Sequence, residues 1–428
     1  MTAWRVDELA QGPSFAEPGV AAGPRTGLLV SACDANSGVA ASFWRSPDAG
    51  RTWSRPFTVR GSAIGCGDAD TAIGPDGYEY ALVLGTGVSV YRSKDGRSWS
   101  GPATFPAVAR AGQPDRPWFV TDPRRSNVVR LFTSEVGGNV VEWTSTDHAA
   151  SFAGPVLVTR GANSEAALTI GSRPLVDPTD PARIMLFYET ADLAGTLASV
   201  DGPEPTAFPF GQLWEASSAD GGGTWTNRKV VTVASTFHGR SGTLGHLLPA
   251  TTVDAQGTVY VVLSVQLATD PTTHLYLLHA KAGGPWSPPA RIDRGVGSNV
   301  YPALAVAHPG QLYLSWYASP TSSFAASSAR WSEEVATVTG ALSAQPTVHV
   351  VRLGPDPVHV GAIEQAGAVG HDLGEDWSLR DFQSVSADAC GHPHVMWADD
   401  ASAPGRVFTA TTGRACQVGV AKKIRRAR

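Results

Sequence analysis

Long apolar stretches are missing from this 428-residue sequence, which contains no run of 18 apolar residues and therefore predicts no transmembrane span. It also lacks a Walker loop, a G-x-G-x-x-G after a strand and a G-x-S-x-G motif. The common nucleotide-binding loops and the nucleophile elbow of α/β-hydrolases are thereby excluded. The formal net charge is −5, although five of the last seven residues are basic. The rest of the chain is therefore acidic, which disfavours nucleic acid as a partner.

The sequence also offers few combinations of residues that could bind a metal ion. No Cys or third His completes a zinc set around His392 and His394. Asp68 and Asp70 are two residues apart, so a strand would place both carboxylates on one side, where Asp381 or Asp399 could add oxygens for Ca²⁺. We predict no cofactor, with bound Ca²⁺ as the alternative.

A short phrase with the pattern S-x-D-x-G-x-T-W recurs four times, at residues 46–53, 93–99, 145–152 and 218–225. Repetition at a spacing of tens of residues indicates a repeat architecture. The Asp can accept hydrogen bonds from the backbone folded over it, Gly supplies positive φ, and the final aromatic packs beneath the turn. We call these segments the S-x-D turns. Their Asp and Trp residues are predicted to be structural: Asp48, Trp53, Asp95, Trp99, Asp147, Asp220 and Trp225.

The phrase resembles the Asp-box, or BNR repeat, of the sialidase-like β-propellers. The second copy is one residue short, and the third has Phe152 in place of Trp. Three further segments are similar to the blade starts of secreted bacterial Asp-box proteins: G-D-A-D at 67–70, D-R-P-W at 115–118 and D-F-Q-S at 381–384. The resemblance implies an architecture, because this repeat occurs in enzymes, lectins and receptors alike.

The apolar runs and turns group into seven units, which open near residues 17, 71, 117, 173, 249, 302 and 384. This pattern predicts an all-β, seven-bladed β-propeller of four-stranded antiparallel blades, with six blades as the alternative. The seventh unit has three strands, and the N-terminal segment 3–6 is predicted to supply its fourth and close the ring. Residues 1–415 would then form a single propeller domain and residues 416–428 a disordered basic tail.

The four cysteines fall into two pairs on this scheme. Cys33 ends the second strand of the first unit and Cys66 precedes the first strand of the next, so both should lie on one face. Cys390 and Cys416 fall near the opposite face of the seventh unit. We predict Cys33–Cys66 and Cys390–Cys416 disulfides, which favour an extracellular protein; free thiols in the cytoplasm are the alternative. No signal peptide is visible, so an extracellular location implies a leader that this sequence does not contain.

Candidate site residues cluster at the starts of first strands and the ends of second strands, on the face opposite the S-x-D turns. Carboxylates dominate there, and paired carboxylates with aromatic platforms are what glycoside chemistry requires. The alternative is that charged side chains lie there only because that face is exposed to solvent. Asp70, Asp115, Arg116, Arg173 and Asp381 are expected to surround one pocket. We predict Asp70, Asp115 and Asp381 as catalytic, and as substrate contacts Arg116, Arg173, Glu135, Tyr188 and Asp399.

Strict sialidase activity is disfavoured. Sialidases carry an Arg-Ile-Pro at the start of the first blade, where this chain has Glu17-Pro18. They also pair a Tyr nucleophile with a Glu, but Tyr188 and Glu189 are adjacent and would point to opposite sides of a regular strand. An acidic rim would moreover repel an acidic sugar.

Two functions stay open. The first is an exo-acting glycosidase or a related carbohydrate-active enzyme. The second is a non-catalytic propeller that binds glycans or proteins, with an acidic rim that is solvated or holds Ca²⁺. In either case the expected partner is a carbohydrate or glycoconjugate, and the chain is expected to be a monomer. Two long insertions, 191–211 and 354–380, are predicted to overhang the candidate site.

Overall fold

The structure is a computed structural model of the whole chain. It describes residues 3–12, 15–25, 27–34, 41–59, 68–85, 87–105, 114–135, 139–159, 171–191, 210–237, 242–245, 248–293, 295, 297–363, 376, 378–401 and 405–412. The described residues are nearly all β, with thirty strands and one short helix, α1 (Val233–Thr236). No described helix is long and apolar enough to cross a membrane.

The first three sheets are separate and antiparallel, and each contains four strands in chain order. We call these groups of four strands sets and number them along the chain. Set 1 contains β2 (Phe15–Ala22), β3 (Leu28–Asp34), β4 (Ser42–Ser46) and β5 (Phe57–Thr58). Set 2 contains β6 (Ala69–Ile73), β7 (Glu79–Leu84), β8 (Val88–Ser93) and β9 (Trp99–Ser100). Set 3 contains β10 (Pro114–Thr121), β11 (Val129–Glu135), β12 (Val140–Ser145) and β13 (Ala153–Leu157).

A nine-stranded sheet holds the next two sets. Set 4 contains β14 (Leu175–Val176), β15 (Ile184–Ala191), β16 (Phe210–Ser218) and β17 (Thr226–Thr232). Set 5 contains β19 (Ala250–Val253), β20 (Thr258–Leu267), β21 (Thr273–Lys281) and β22 (Ala290–Arg291). Strand β18 (Gly242–Leu244) joins them, because Leu244 pairs with Phe210 of β16 and with Val265 of β20. The sequence did not predict this link between sets.

The last two sheets complete the order. Set 6 contains β23 (Ser298–His308), β24 (Gln311–Ser319), β25 (Arg330–Thr339) and β26 (Thr347–Leu353), with β27 (His359–Val360) also paired to β25. Set 7 contains β28 (Ser384–Ala387), β29 (Pro393–Asp399) and β30 (Gly405–Thr412), followed by the N-terminal strand β1 (Trp4–Gly12). Strand β1 thus occupies the position at which the sequence predicted a fourth strand for the seventh unit.

The sets are arranged side by side around their first strands. Each first strand contacts the next in the order β2, β6, β10, β14, β19, β23 and β28, and β28 also contacts β2. Second strands lie between neighbouring sets, which explains why β29 is buried along its whole length whereas the outer strand β13 is largely exposed. This arrangement of four-stranded antiparallel sheets is consistent with a β-propeller.

The S-x-D turns are held by their own side chains. Asp48 accepts hydrogen bonds from the Thr52 N–H at 2.8 Å and the Thr52 hydroxyl at 2.7 Å, while the Ser46 hydroxyl accepts one from the Gly50 N–H at 2.8 Å. The turn at Asp220 repeats these contacts, and there the Thr224 N–H brings the pKa of Asp220 to about 2. In these turns the Asp carboxylate therefore has a structural role, because it accepts hydrogen bonds from the turn that it closes.

The closing aromatics of the turns are buried to different degrees. Trp225 is 8% exposed and Phe152 is 5% exposed, whereas Trp53 and Trp99 are only half-buried. Substitution of these residues should therefore have unequal effects on stability.

Cys33 and Cys390 are each disulfide-bonded. Their predicted partners, Cys66 and Cys416, lie outside the described residues, as does the basic tail 416–428. The Cys33–Cys66 and Cys390–Cys416 pairing therefore stays a prediction.

Candidate functional site

Three first strands carry the same local irregularity near their start. Glu17, Arg116 and Tyr301 each precede a proline, and their φ angles are 51°, 45° and 56°. The pairing register of β2, β10 and β23 shifts at these dipeptides. A proline cannot donate to the ladder, and a bulge re-aims the side chain beside it. Left-handed φ at a non-glycine residue costs of order 1–3 kcal/mol and is found mostly at functional or tightly constrained positions.

Four ionisable side chains from four sets meet near the starts of the first strands, and two of them, Glu17 and Arg116, lie at bulges. Arg116 Nη1 lies 3.1 Å from Glu17 Oε1 and 2.7 Å from Asp68 Oδ1, and Arg116 Nη2 contacts Asp381. All four side chains are at most 5% exposed. The Arg116 N–H also donates to Asp68 and to Asp115, at 3.0 and 2.9 Å. We call Glu17, Asp68, Arg116 and Asp381 the Arg116 cluster. It ties sets 1, 2, 3 and 7 at the centre of the molecule.

Electrostatics within the Arg116 cluster favour a bound proton. Burial raises the pKa of Glu17 well above its usual range, the negative charge of Asp68 raises it further, and Arg116 only partly opposes both effects. Burial also raises the pKa of Asp68, against the effect of Arg116. The raised pKa of Glu17 therefore favours its protonated form, which can donate a hydrogen bond to Asp68.

Stability is expected to fall as the pH rises from mildly acidic to alkaline values, in part because Glu17 must ionise. Its folded-state pKa is raised, so its contribution is complete below the unfolded-state pKa and is lost as the pH passes through the folded-state value. Urea midpoints across this range, compared with those of Glu17→Gln, measure the effect. The variant, which cannot ionise, should show a flatter profile. Parallel profiles would show that Glu17 does not hold the proton.

A second ion pair lies beside the cluster. The Arg173 guanidinium forms a bidentate ion pair with Asp70. Its Nη1 donates to Oδ2 at 2.9 Å and its Nη2 donates to Oδ1 at 2.6 Å. Asp70 is buried and also accepts the Phe119 N–H at 2.8 Å. The Arg173 side chain stays 36% exposed and lies 4.7 Å above the ring of Trp118. This pair therefore presents the guanidinium edge of Arg173 to solvent above the buried ring of Trp118, whereas the Asp70 carboxylate is hidden.

A cavity of about 90 Å³ adjoins this guanidinium. Its described lining includes Trp118, Arg173, Leu248, Pro302 and Phe382, which come from the first strands of sets 3 to 7 or the residues just before them. Trp118 and Phe382 meet edge to face, with ring centroids 5.0 Å apart. The first strands thus converge on a small cavity with one cation and two aromatic walls.

The predicted site residues are distributed unequally. Arg116 and Asp381 contact each other, Asp70 and Arg173 form the neighbouring pair, and half-buried Asp115 lies beside Arg116. The structure therefore joins these five residues into two adjoining ion-pair groups.

The remaining predicted contacts lie in other surroundings. Tyr188 is fully buried in the core formed with sets 3 and 4, and its hydroxyl donates to Asn227 at 2.7 Å. Asp399 is buried at the end of β29 and accepts two bonds from Arg406, at 3.1 and 3.2 Å. Glu135 ends β11 opposite Pro114, and its side chain lies outside the described part of the structure.

Most of the two long insertions, including residues 192–209 and 364–375, also lies outside the described residues. Within the described ranges, no group of three or more His, Cys, Asp or Glu side chains is placed to hold a metal ion. The acidic residues considered for Ca²⁺ are instead paired with Arg116 and Arg173.

Sequence reasoning gave no role to Trp118, Tyr301 and Phe382. A signal for the first two was present, because X-Pro dipeptides recur where first strands begin, as in Arg116-Pro117 and Tyr301-Pro302. A proline near the start of a strand marks a bulge or edge. Reading the dipeptides together would have identified the starts of the first strands at which the backbone bulges.

No protein-family profile matches the chain, and no curated protein matches it in sequence. Several solved structures, however, match the chain in fold. The BP39L lectin from Burkholderia pseudomallei superimposes with a TM-score of 0.55 at 12% identity, covering 94% of this chain and 99% of the lectin. An ulvan lyase of family PL25, bound to -[GlcA(1-4)Rha3S]-, gives a TM-score of 0.52 at 12% identity, covering 94% of this chain and 95% of the lyase.

The phage phi92 endosialidase gives a TM-score of 0.52 at 10% identity, covering 100% of this chain and 71% of the endosialidase. At such identities these likenesses show a shared fold alone. The names of all three proteins refer to glycans as their ligands or substrates.

Proposed function

We propose that the protein is a seven-bladed β-propeller that binds glycans at the cavity beside Arg173. The exposed guanidinium edge of Arg173 above Trp118 carries the proposal, because it combines a hydrogen-bond donor with an aromatic wall at the convergence of the first strands. Ligand pockets typically place a few polar groups in a mainly apolar lining. The closed order of contacts among the seven first strands supports seven blades.

Burial of the predicted catalytic carboxylates favours binding over hydrolysis. A glycosidase needs two carboxyl groups that reach the substrate, roughly 5–9.5 Å apart. Asp70 is occupied by Arg173 and by the Phe119 N–H, and Asp381 contacts the guanidinium of Arg116. The burial of both carboxylates supports a structural role over proton transfer to a sugar.

Asp115 supports a second candidate function, glycoside hydrolysis. It is the one predicted catalytic residue that stays partly exposed, and it lies next to the Arg116 cluster. A half-buried carboxyl group at this position could act as a general acid or base.

Arg173→Ala is expected to weaken glycan binding by about tenfold or more, because a buried or partly buried charge-assisted contact contributes about 1.5–3 kcal/mol. A glycan array identifies a ligand for the wild-type protein, and calorimetry with that ligand measures the loss. Arg352→Ala serves as the control, because Arg352 is 53% exposed and its described partners belong to set 6 and the turn after it.

Turnover separates the two candidate functions. Chromogenic glycosides and polysaccharides should bind without cleavage if the protein only binds glycans. Cleavage that disappears in Asp115→Asn would establish the second candidate instead. Unchanged affinity in Arg173→Ala would overturn the proposed binding site.

We further propose that the protein is extracellular and monomeric. The disulfide bonds at Cys33 and Cys390 support the location, because structural disulfides persist mainly in oxidising compartments.

A further inference from the structure

A larger cavity, of about 350 Å³, lies between sets 6 and 7 and far from the Arg116 cluster along the strands. Tyr313 lies near the start of β24, whereas the bulge at Tyr301 lies beside the end of that strand. Trp4 begins β1 and Thr412 ends β30. The cavity therefore belongs to the other face of the molecule. Its described lining is Trp4, Tyr313, Val335, Thr337, His349, Val351 and Thr412.

Strand register builds one wall of this cavity. Tyr313 pairs with Thr337, which pairs with His349, across three neighbouring strands of set 6. Val335 lies two residues before Thr337 on the same face and pairs with Val351. The wall therefore alternates apolar methyl groups with a hydroxyl and an imidazole.

The closing pair of set 7 forms the opposite wall. Trp4 and Thr412 face each other in the register of β1 and β30, so the indole and a second hydroxyl stand across from set 6. Trp4 and Thr412 are half-buried, and His349 is exposed. The Tyr313 hydroxyl donates to the Gly391 carbonyl at 3.0 Å, which fixes that ring at the floor.

We propose that this cavity binds a neutral saccharide of one or two rings. Its volume falls in the range of about 300–1,000 Å³ that is usual for small-molecule sites. Trp4 offers an aromatic surface for the apolar face of a sugar ring, and Thr337, Thr412 and His349 offer hydrogen bonds to its hydroxyl groups.

The charge of the lining selects between classes of ligand. None of the seven described lining residues is an Asp, Glu, Lys or Arg, so nothing among them compensates the charge of an acidic or amino sugar. A purely apolar ligand would leave the two Thr hydroxyls and the imidazole without partners, which costs binding free energy. A neutral polyhydroxylated ring satisfies both conditions.

The test uses the full chain in calorimetric titrations with methyl glycosides of glucose, galactose, mannose, xylose, arabinose and fucose. We expect saturable binding of at least one glycoside, weakened about tenfold or more, equivalent to about 1.4 kcal/mol, in Trp4→Ala and in Thr337→Val. Thr337→Val keeps the side-chain shape and removes the hydroxyl, so it remains informative if Trp4→Ala fails to fold. Leu342→Ala, at an exposed position in the turn between β25 and β26, should bind as the wild type does.

The same titrations distinguish this site from the cavity beside Arg173. Binding that survives Arg173→Ala and is weakened in Thr337→Val supports the inference. The inference would be overturned if no glycoside of the panel bound, or if Thr337→Val left the binding unchanged. It would also be overturned if the cavity bound free indole, used as an apolar probe, but none of the glycosides.

Discussion

Arg116→Met is expected to lower the free energy of unfolding by about 3–5 kcal/mol, the usual cost of removing one partner of a buried ion pair. The guanidinium contacts Glu17, Asp68 and Asp381, none of which can turn to water because their side chains are at most 4% exposed. Without Arg116, the buried carboxylates of Asp68 and Asp381 lose a positively charged partner in surroundings that water does not reach. Urea denaturation followed by far-UV circular dichroism measures the loss.

The matched control is Arg352→Met. Arg352 also contacts two carboxylates, Asp356 at 2.8 Å and Glu334 at 3.5 Å, but its side chain is 53% exposed. Exposed pairs of this kind contribute about 0–1 kcal/mol. Adding Asp381→Asn to Arg116→Met should restore part of the lost stability, because it removes one of the buried carboxyl groups that has lost its contact with Arg116. Equal losses for the two Arg→Met variants would show that the Arg116 cluster does not hold the sets together.

Local chemistry made much of the fold predictable. The S-x-D turns depend on contacts within a few residues, such as Thr52 to Asp48, so their pattern can be read from sequence alone. The four-stranded sheets could be predicted for the same reason, because the alternation of short apolar runs and turns is also a local pattern. The link through Leu244 depends on one pair to Phe210 and one to Val265, and no local pattern encodes such a contact.

The site was predictable in position but less so in chemistry. The starts of first strands converge because of strand order, and this placed Arg116 and Asp381 together. Which carboxylate pairs with which arginine depends on positive-φ bulges and on burial, and neither is visible in a charge pattern. Tyr188 shows the limit of assigning a residue from the end of a strand, since its side chain turns into the core.

The second large effect is expected at the S-x-D turn of set 4, where Trp225→Ala should lower the free energy of unfolding by about 3–5 kcal/mol. Trp225 is 8% exposed and packs edge to face on Phe132, with ring centroids 5.8 Å apart. Its Nε1–H donates to Glu142 at 3.2 Å, and Glu142 in turn contacts Arg130. Truncation would therefore open a cavity and remove a donor from a buried carboxylate at once.

Trp53→Ala is the comparison, because Trp53 ends an equivalent turn but is only half-buried, so less apolar surface is lost and the effect should be smaller. Trp225→Phe helps to separate the two causes, since it keeps a six-membered aromatic ring and removes the N–H together with the remainder of the indole. Glycan affinity at the cavity beside Arg173, per folded molecule, should be unchanged in all three variants, because these turns lie on the face opposite that cavity. A Trp225→Ala protein that is fully stable but has lost glycan binding would reverse the assignment, making the turn a binding element and not a structural one.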